Sequence, residues 1–174
     1  MSTYIQNFKK FRPLLTELIM RDIKTKYRKS ILGVFWTILN PLFMMVVLSV
    51  VFSNMFKFDV EYFPVYLLSG QLIFNFYNEA TTNAMGAIVA NGPLIKKIYV
   101  PKYMFVLSRI FSSSINLLAS FTAMIFVMLA MRVELHYTVL LAPIPLLFIV
   151  FFSLGVGLIL SAITVKFRDI MHLY

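Results

Sequence analysis

Residues 30–56 run for twenty-seven positions without a charged side chain, directly after a segment holding five cations, Arg21, Lys24, Lys26, Arg28 and Lys29. That boundary constrains the fold more than any other feature. Crossing about 30 Å of hydrocarbon takes roughly twenty helical residues at about 1.5 Å each, because lipid offers the backbone no hydrogen-bond partners. Four stretches meet that length, at about 31–56, 63–87, 110–131 and 139–165. Glu79, in the second, is the carboxylate inside a span, and the prolines at 41, 143 and 145 lie near span ends, where a missing N–H costs little. The composition agrees: 60% of residues are hydrophobic, 13% are charged and the mean hydropathy is +0.85. Charge is too scarce to coat a water-facing surface. The expected fold is an all-α integral membrane protein, with an amphipathic segment at 1–30 and a transmembrane region at 31–174.

The sixteen lysines and arginines give the direction. With the amino-terminal segment, the 88–109 loop and the tail on one side, fourteen of them share that side, leaving Lys57 and Arg132 opposite. The positive-inside rule then puts both ends in the cytoplasm. Because the cations cluster at the ends of apolar runs rather than interleaving with aromatics, the net charge of +9 reads as membrane orientation, not nucleic-acid binding. No cysteine is present, which excludes disulfides, thiol catalysis and cysteine metal sites. The first thirty residues are polar and lack the pattern of a cleaved signal peptide.

Periodicity adds detail. From Pro13, a suitable first helical residue, Glu17, Arg21, Lys24 and Arg28 share one narrow arc, with Leu15, Ile19, Ile23 and Tyr27 opposite. This pattern fits a helix lying in the interface with its apolar face on lipid or a partner subunit. In the second span Gln71, Asn75, Asn78, Glu79 and Thr82 project within about 100° of one another. The third carries a matching line of Arg109, Ser112, Ser113, Asn116 and Ser120. Polar groups in lipid are costly, so these stripes face protein or water. A lined conduit and hydrogen-bonded helix packing both account for them. Trp36, Phe74 and Tyr77 are candidate conduit rings, able to stack on sugar faces, although aromatics in such a chain also face lipid. Ser153, Gly157 and Ser161 form a small-residue stripe suited to close helix packing.

Chemistry is sparse. The chain has no GxxxxGK[ST] loop, HExxH pair or GxSxG elbow. His136 and His172 fall near opposite membrane faces, so they form no joint metal site, and the seven carboxylates are scattered. Neither catalytic nor metal-binding residues are expected. Uphill transport would draw on another subunit or an ion gradient, and Glu79 would be the ion site in a secondary carrier. A non-transporting scaffold is a further alternative.

The longest internal loop, 90–110, reads ANGPLIKKIYVPKYMFVLSRI. Asn91, Gly92 and Pro93 break the span, Pro93 opens a short helix through Leu94, Ile95, Lys96, Lys97 and Ile98, and Pro101 closes the segment after Tyr99. The order RDIKTKYRKSILGVFWTILNPLF, FPVYLLSGQLIFNFYNEA, NGPLIKKIYVPKY and VKFRDI resembles the ABC-2 type permeases that export bacterial O-antigen, capsular polysaccharide and teichoic acid. The likeness runs through essentially the whole chain. It implies that residues 13–29 form the family's interface helix and that 91–102 contain the coupling helix that docks on a separate ATPase, where ATP and Mg²⁺ bind. It further implies a permease homodimer in the bacterial inner membrane, passing a lipid-linked glycan, with no cofactor in this chain. A drug or lipid exporter of the same architecture is the near alternative. Family members continue with two more spans and an external re-entrant hairpin, so a chain reaching Tyr174 is expected to be truncated.

Overall fold

The structure is a computed structural model that describes residues 2–27, 35–56, 62–133 and 137–174. All regular elements among them are helical: α1 (Ser2–Tyr27), α2 (Phe35–Phe56), α3 (Phe63–Ala90), α4 (Gly92–Ile95), α5 (Tyr103–Ala130), a 3₁₀ turn (Tyr137–Leu141), α6 (Pro143–Lys166) and α7 (Ile170–Leu173). Among the described residues two stretches, Tyr103–Ala130 and Val139–Lys166, are long and apolar enough to cross a membrane. Helix α3 equals them in length, but Gln71, Asn75, Asn78 and Glu79 lower its hydropathy.

Prolines and loop residues set the boundaries. Pro64 and Pro143 occupy the first turns of α3 and α6, where their lack of an N–H is harmless. Helix α5 ends in a Schellman turn: Val133 N–H bonds Met128 C=O at 3.0 Å, Arg132 N–H bonds Leu129 C=O at 3.1 Å, and Arg132 takes φ 55°. Two helices begin earlier than the pattern of apolar residues indicates. Helix α1 starts at Ser2 and carries Pro13 inside it, rather than opening there. Helix α5 starts at Tyr103, seven residues ahead of the apolar run from 110, because Pro101 and Lys102 end the loop and α5's first turns are buried in protein rather than lipid.

Helix α3 is the hub, flanked by α5 and α6, with α2 along its side and α1 laid against α5. The core joins Leu72, Phe76, Ala80, Ala84 and Ala87 of α3 to Phe105, Val106, Ile110 and Leu117 of α5 and Leu18 of α1. The tightest burial falls at the start of α5, where Met104, Phe105, Val106 and Ile110 are fully enclosed. Leu14, Leu15 and Leu18 turn α1 inward against α5; of the expected apolar face Leu15 is buried, while Ile19 and Ile23 are half-buried. Small residues bring α6 in: Ser153, Gly157 and Ser161 are all buried, and Gly157 sits against Ala84 and Ile110. Several span hydroxyls return their proton to their own helix. Ser114 bonds Ile110 C=O, Thr122 bonds Leu118 C=O and Thr164 bonds Leu160 C=O, each at 2.8–2.9 Å.

Candidate functional site: a polar groove between four helices

The polar stripes of α3 and α5 meet because the two helices pack antiparallel in a fixed register. Asn116 Nδ2 donates to Glu79 Oε1 at 2.7 Å, and Asn83 Nδ2 donates to Ser113 Oγ at 3.4 Å. Beside this seam lies a cavity of about 610 Å³. Gln71, Asn75 and Glu79 line it from α3, Ser113, Asn116 and Ser120 from α5, Trp36, Asn40 and Met44 from α2, and Lys26 from α1. Leu68, Leu72, Phe76 and Leu117 give it an apolar flank. Gln71 Oε1 is buried in this wall without a hydrogen bond among the described residues.

A second cavity of about 580 Å³ adjoins the first and shares Lys26 and Glu79 with it. Arg21, Asp22, Asn83, Asn91, Arg109 and Ser112 surround it. Asp22 is the centre of this cluster. Its Oδ1 accepts from Arg21 Nε at 3.3 Å and Nη2 at 3.1 Å, while Oδ2 faces Arg109 Nε at 3.4 Å. The Asp22 side chain is 6% exposed, so these cations offset the desolvation of a carboxylate taken out of water. Arg21 Nη2 also donates to Asn91 Oδ1 at 3.1 Å, and Asn91 Nδ2 donates to Ala87 C=O at 2.8 Å. The amino-terminal helix is thereby tied to the joint between α3 and α4. Further along α1, Lys26 Nζ reaches Glu79 Oε1 at 2.7 Å. Asn91 and Glu79 stand twelve residues apart, roughly 18 Å along a helix.

The candidate conduit residues divide. Gln71, Asn75, Glu79, Asn116 and Trp36 share the groove wall. Asn78 and Thr82 are exposed beside it and pair with each other, Thr82 Oγ1 to Asn78 Oδ1 at 3.4 Å. Phe74 is exposed, and Tyr77 stacks on Phe152 of α6 with ring centroids 5.8 Å apart. In the loop, Asn91 is buried, and Leu94 and Ile95 pack on the core. Pro93, Lys96, Lys97 and Tyr99 are exposed, Tyr99 at 96%, and Pro101 is half-buried before α5. Arg21 and Lys24 lie on the exposed side of α1, and Arg28 lies outside the described residues. Several residues lining the two cavities escape a sequence reading, Asn83 of α3 among them. Asp22 and Lys26 sit inside a run of cations that reads as one solvated face, and Asn40 is a single amide in an apolar helix. Among the described residues no cluster of His, Asp or Glu is arranged to hold a metal.

Residues 13–174 match the family described as ABC-2 type transporter. The chain is 28% identical over 169 residues to the O-antigen export system permease protein RfbA of Myxococcus xanthus, covering 97% of this chain and 65% of that protein. It is 26% identical over 161 residues to RfbA of Klebsiella pneumoniae, covering 90% and 61%. Against the capsule polysaccharide export inner-membrane protein BexB of Haemophilus influenzae it is 26% identical over 160 residues, covering 88% and 59%. The chain thus spans less than two thirds of the length of these relatives.

Proposed function

The chain belongs to the ABC-2 type transporter family, and from that premise we propose that it is the membrane-spanning part of an ATP-driven exporter of cell-surface polysaccharide. The observation that carries the reading is the groove: amides, hydroxyls and one indole line a wall between helices that lipid alone would leave apolar. Polar groups of this kind hydrogen-bond sugar hydroxyls, and Trp36 offers a face for sugar C–H groups. In this reading α2, α3, α5 and α6 are the four spans, α1 and the α4 segment face the cytoplasm, and the host membrane is the bacterial inner membrane. A second copy of the chain completes the passage for a lipid-linked glycan.

Energy comes from a separate ABC ATPase, which binds ATP and Mg²⁺ and docks on the α4 segment. The exposed patch of Pro93, Lys96, Lys97, Ile98 and Tyr99 supports this, because a ring 96% exposed beside two cations gains burial and charge pairing on docking. Leu94 and Ile95, committed to the core, support the patch from behind. Glu79, engaged by both Lys26 and Asn116, is less suited to pick up and release a coupling ion, which disfavours a secondary carrier.

Tyr99→Ala combined with Lys96→Glu and Lys97→Glu tests the docking surface. Co-purification of the ATPase and surface display of polymer should both be lost while the permease still reaches the membrane. Unchanged association would contradict the assignment.

A further inference from the structure

We propose that the Lys26–Glu79 ion pair is a bar across the groove, and that movement of the α4 segment withdraws it through Arg21 and Asn91. The inference rests on reading the groove as a passage and adds a control point to it. The two cavities share Lys26 and Glu79, so the pair stands between them. Glu79 Oε1 accepts Lys26 Nζ at 2.7 Å and Asn116 Nδ2 at 2.7 Å, so one oxygen joins α1, α3 and α5 across the opening.

The bar is built to break. Side-chain exposures of 44% for Lys26 and 35% for Glu79 keep both charges within reach of water, and ion pairs in such surroundings contribute little net stability. When Lys26 leaves, Asn116 remains to hold Glu79, which keeps the carboxylate hydrogen-bonded while the two cavities become one.

The pull comes from the far end of the same helix. Arg21 and Lys26 lie on α1, a continuous helix, so a displacement at one is transmitted to the other. Arg21 is fastened to Asn91, and Asn91 is itself fixed to the α3–α4 joint: its side chain bonds Ala87 C=O and its carbonyl accepts Leu94 N–H at 3.0 Å. Asp22, buried beside Arg109 of α5, gives α1 a point to pivot on. A motor that shifts the exposed 96–99 patch therefore moves α1 and draws Lys26 off Glu79.

Because the chain has no cysteine, Lys26→Cys with Glu79→Cys introduces its sole thiols. The permease carrying both is assembled with its ATPase in membrane vesicles and treated with a short bis-maleimide, nucleotide-free or trapped with ATP and vanadate. The bar predicts efficient linkage without nucleotide and at least a five-fold lower yield in the trapped state. Adding Arg21→Ala, which removes the link to Asn91 from the α1 side and leaves the docking segment unchanged, should abolish that difference. Equal yields in both states of a hydrolysing complex would overturn the proposal whatever cargo is carried. A nucleotide-dependent yield in a complex that exports no polysaccharide would keep the bar and remove the cargo assignment. As a check independent of cysteine, Lys26→Glu should impair export, and the exchanged pair Lys26→Glu with Glu79→Lys should restore it. Failure of the exchanged pair to improve on Lys26→Glu would count against an ion-paired bar.

Discussion

A Cβ placed on Gly157 of α6 would lie 2.8 Å from the Cβ of Ala84 on α3 and 3.0 Å from Cδ1 of Ile110 on α5. Three helices meet at this point with no room for another carbon. Gly157→Ala should therefore destabilise the fold by about 1–3 kcal/mol, as over-packing typically does. Ala84→Gly in the same chain should recover part of the loss. Thermal unfolding in detergent, followed by circular dichroism, checks both variants. An unshifted melting temperature for Gly157→Ala would mean that α6 does not cross α3 here.

Asp22 gives a second prediction. It is buried, accepts hydrogen bonds from Arg21 and faces Arg109 at 3.4 Å as an ion pair, and a hydrogen bond to a charged group contributes about 1.5–3 kcal/mol. Asp22→Ala should cost on that order in thermal stability. Arg21→Ala should cost less, because the Arg21 side chain is 43% exposed and water replaces much of what it loses. Combining the two should be less than additive, since both remove one interaction. Strict additivity in the same melting assay would place the two residues in separate environments.

Trp36 is the sole tryptophan and lines the groove at 47% exposure, so the intrinsic tryptophan fluorescence of the isolated permease reports on that wall. Addition of lipid-linked glycan should slow acrylamide quenching of Trp36 by about two-fold or more, whereas an unglycosylated polyprenyl phosphate should leave it nearly unchanged. The expectation follows from shielding of a half-exposed ring by sugar. Equal protection by the two lipids would assign the groove to the lipid rather than the glycan.

Much of this site is legible in the amino-acid sequence, because helical periodicity is a strong local signal. The line Gln71, Asn75, Glu79 follows from spacing alone, as does its partner line Ser113, Asn116, Ser120, and both reach the same cavity. Angular position alone does not say where along α3 a wall ends: Thr82 projects between Gln71 and Asn75 but lies beyond Glu79, the last α3 residue of the first cavity, and pairs with Asn78. Rings carry no such signal. Tyr77 follows α6 and Phe152, and only the packing of α6 on α3 reveals that.

The cationic segment shows the limit most clearly. Composition reads 21–29 as a flank that stops at the water boundary, yet within it Asp22 is buried, Arg21 holds Asn91 and Lys26 holds Glu79. Those roles depend on partners 53 to 87 residues away, and nothing local to α1 distinguishes them. The same applies to the apolar side of α1. Its period is visible in the sequence, but that it packs against α5 is a property of the assembled fold.

The proposed route of the exported chain is the wall formed by α2, α3 and α5. Its most direct test is a photoreactive phenylalanine analogue placed at Asn75, on that wall, or at Phe151, on the exposed face of α6, in cells that are making polymer. Illumination should attach glycan to the protein substituted at Asn75 and leave the Phe151 variant with lipid adducts alone. Glycan attached at Phe151 and absent at Asn75 would contradict the account.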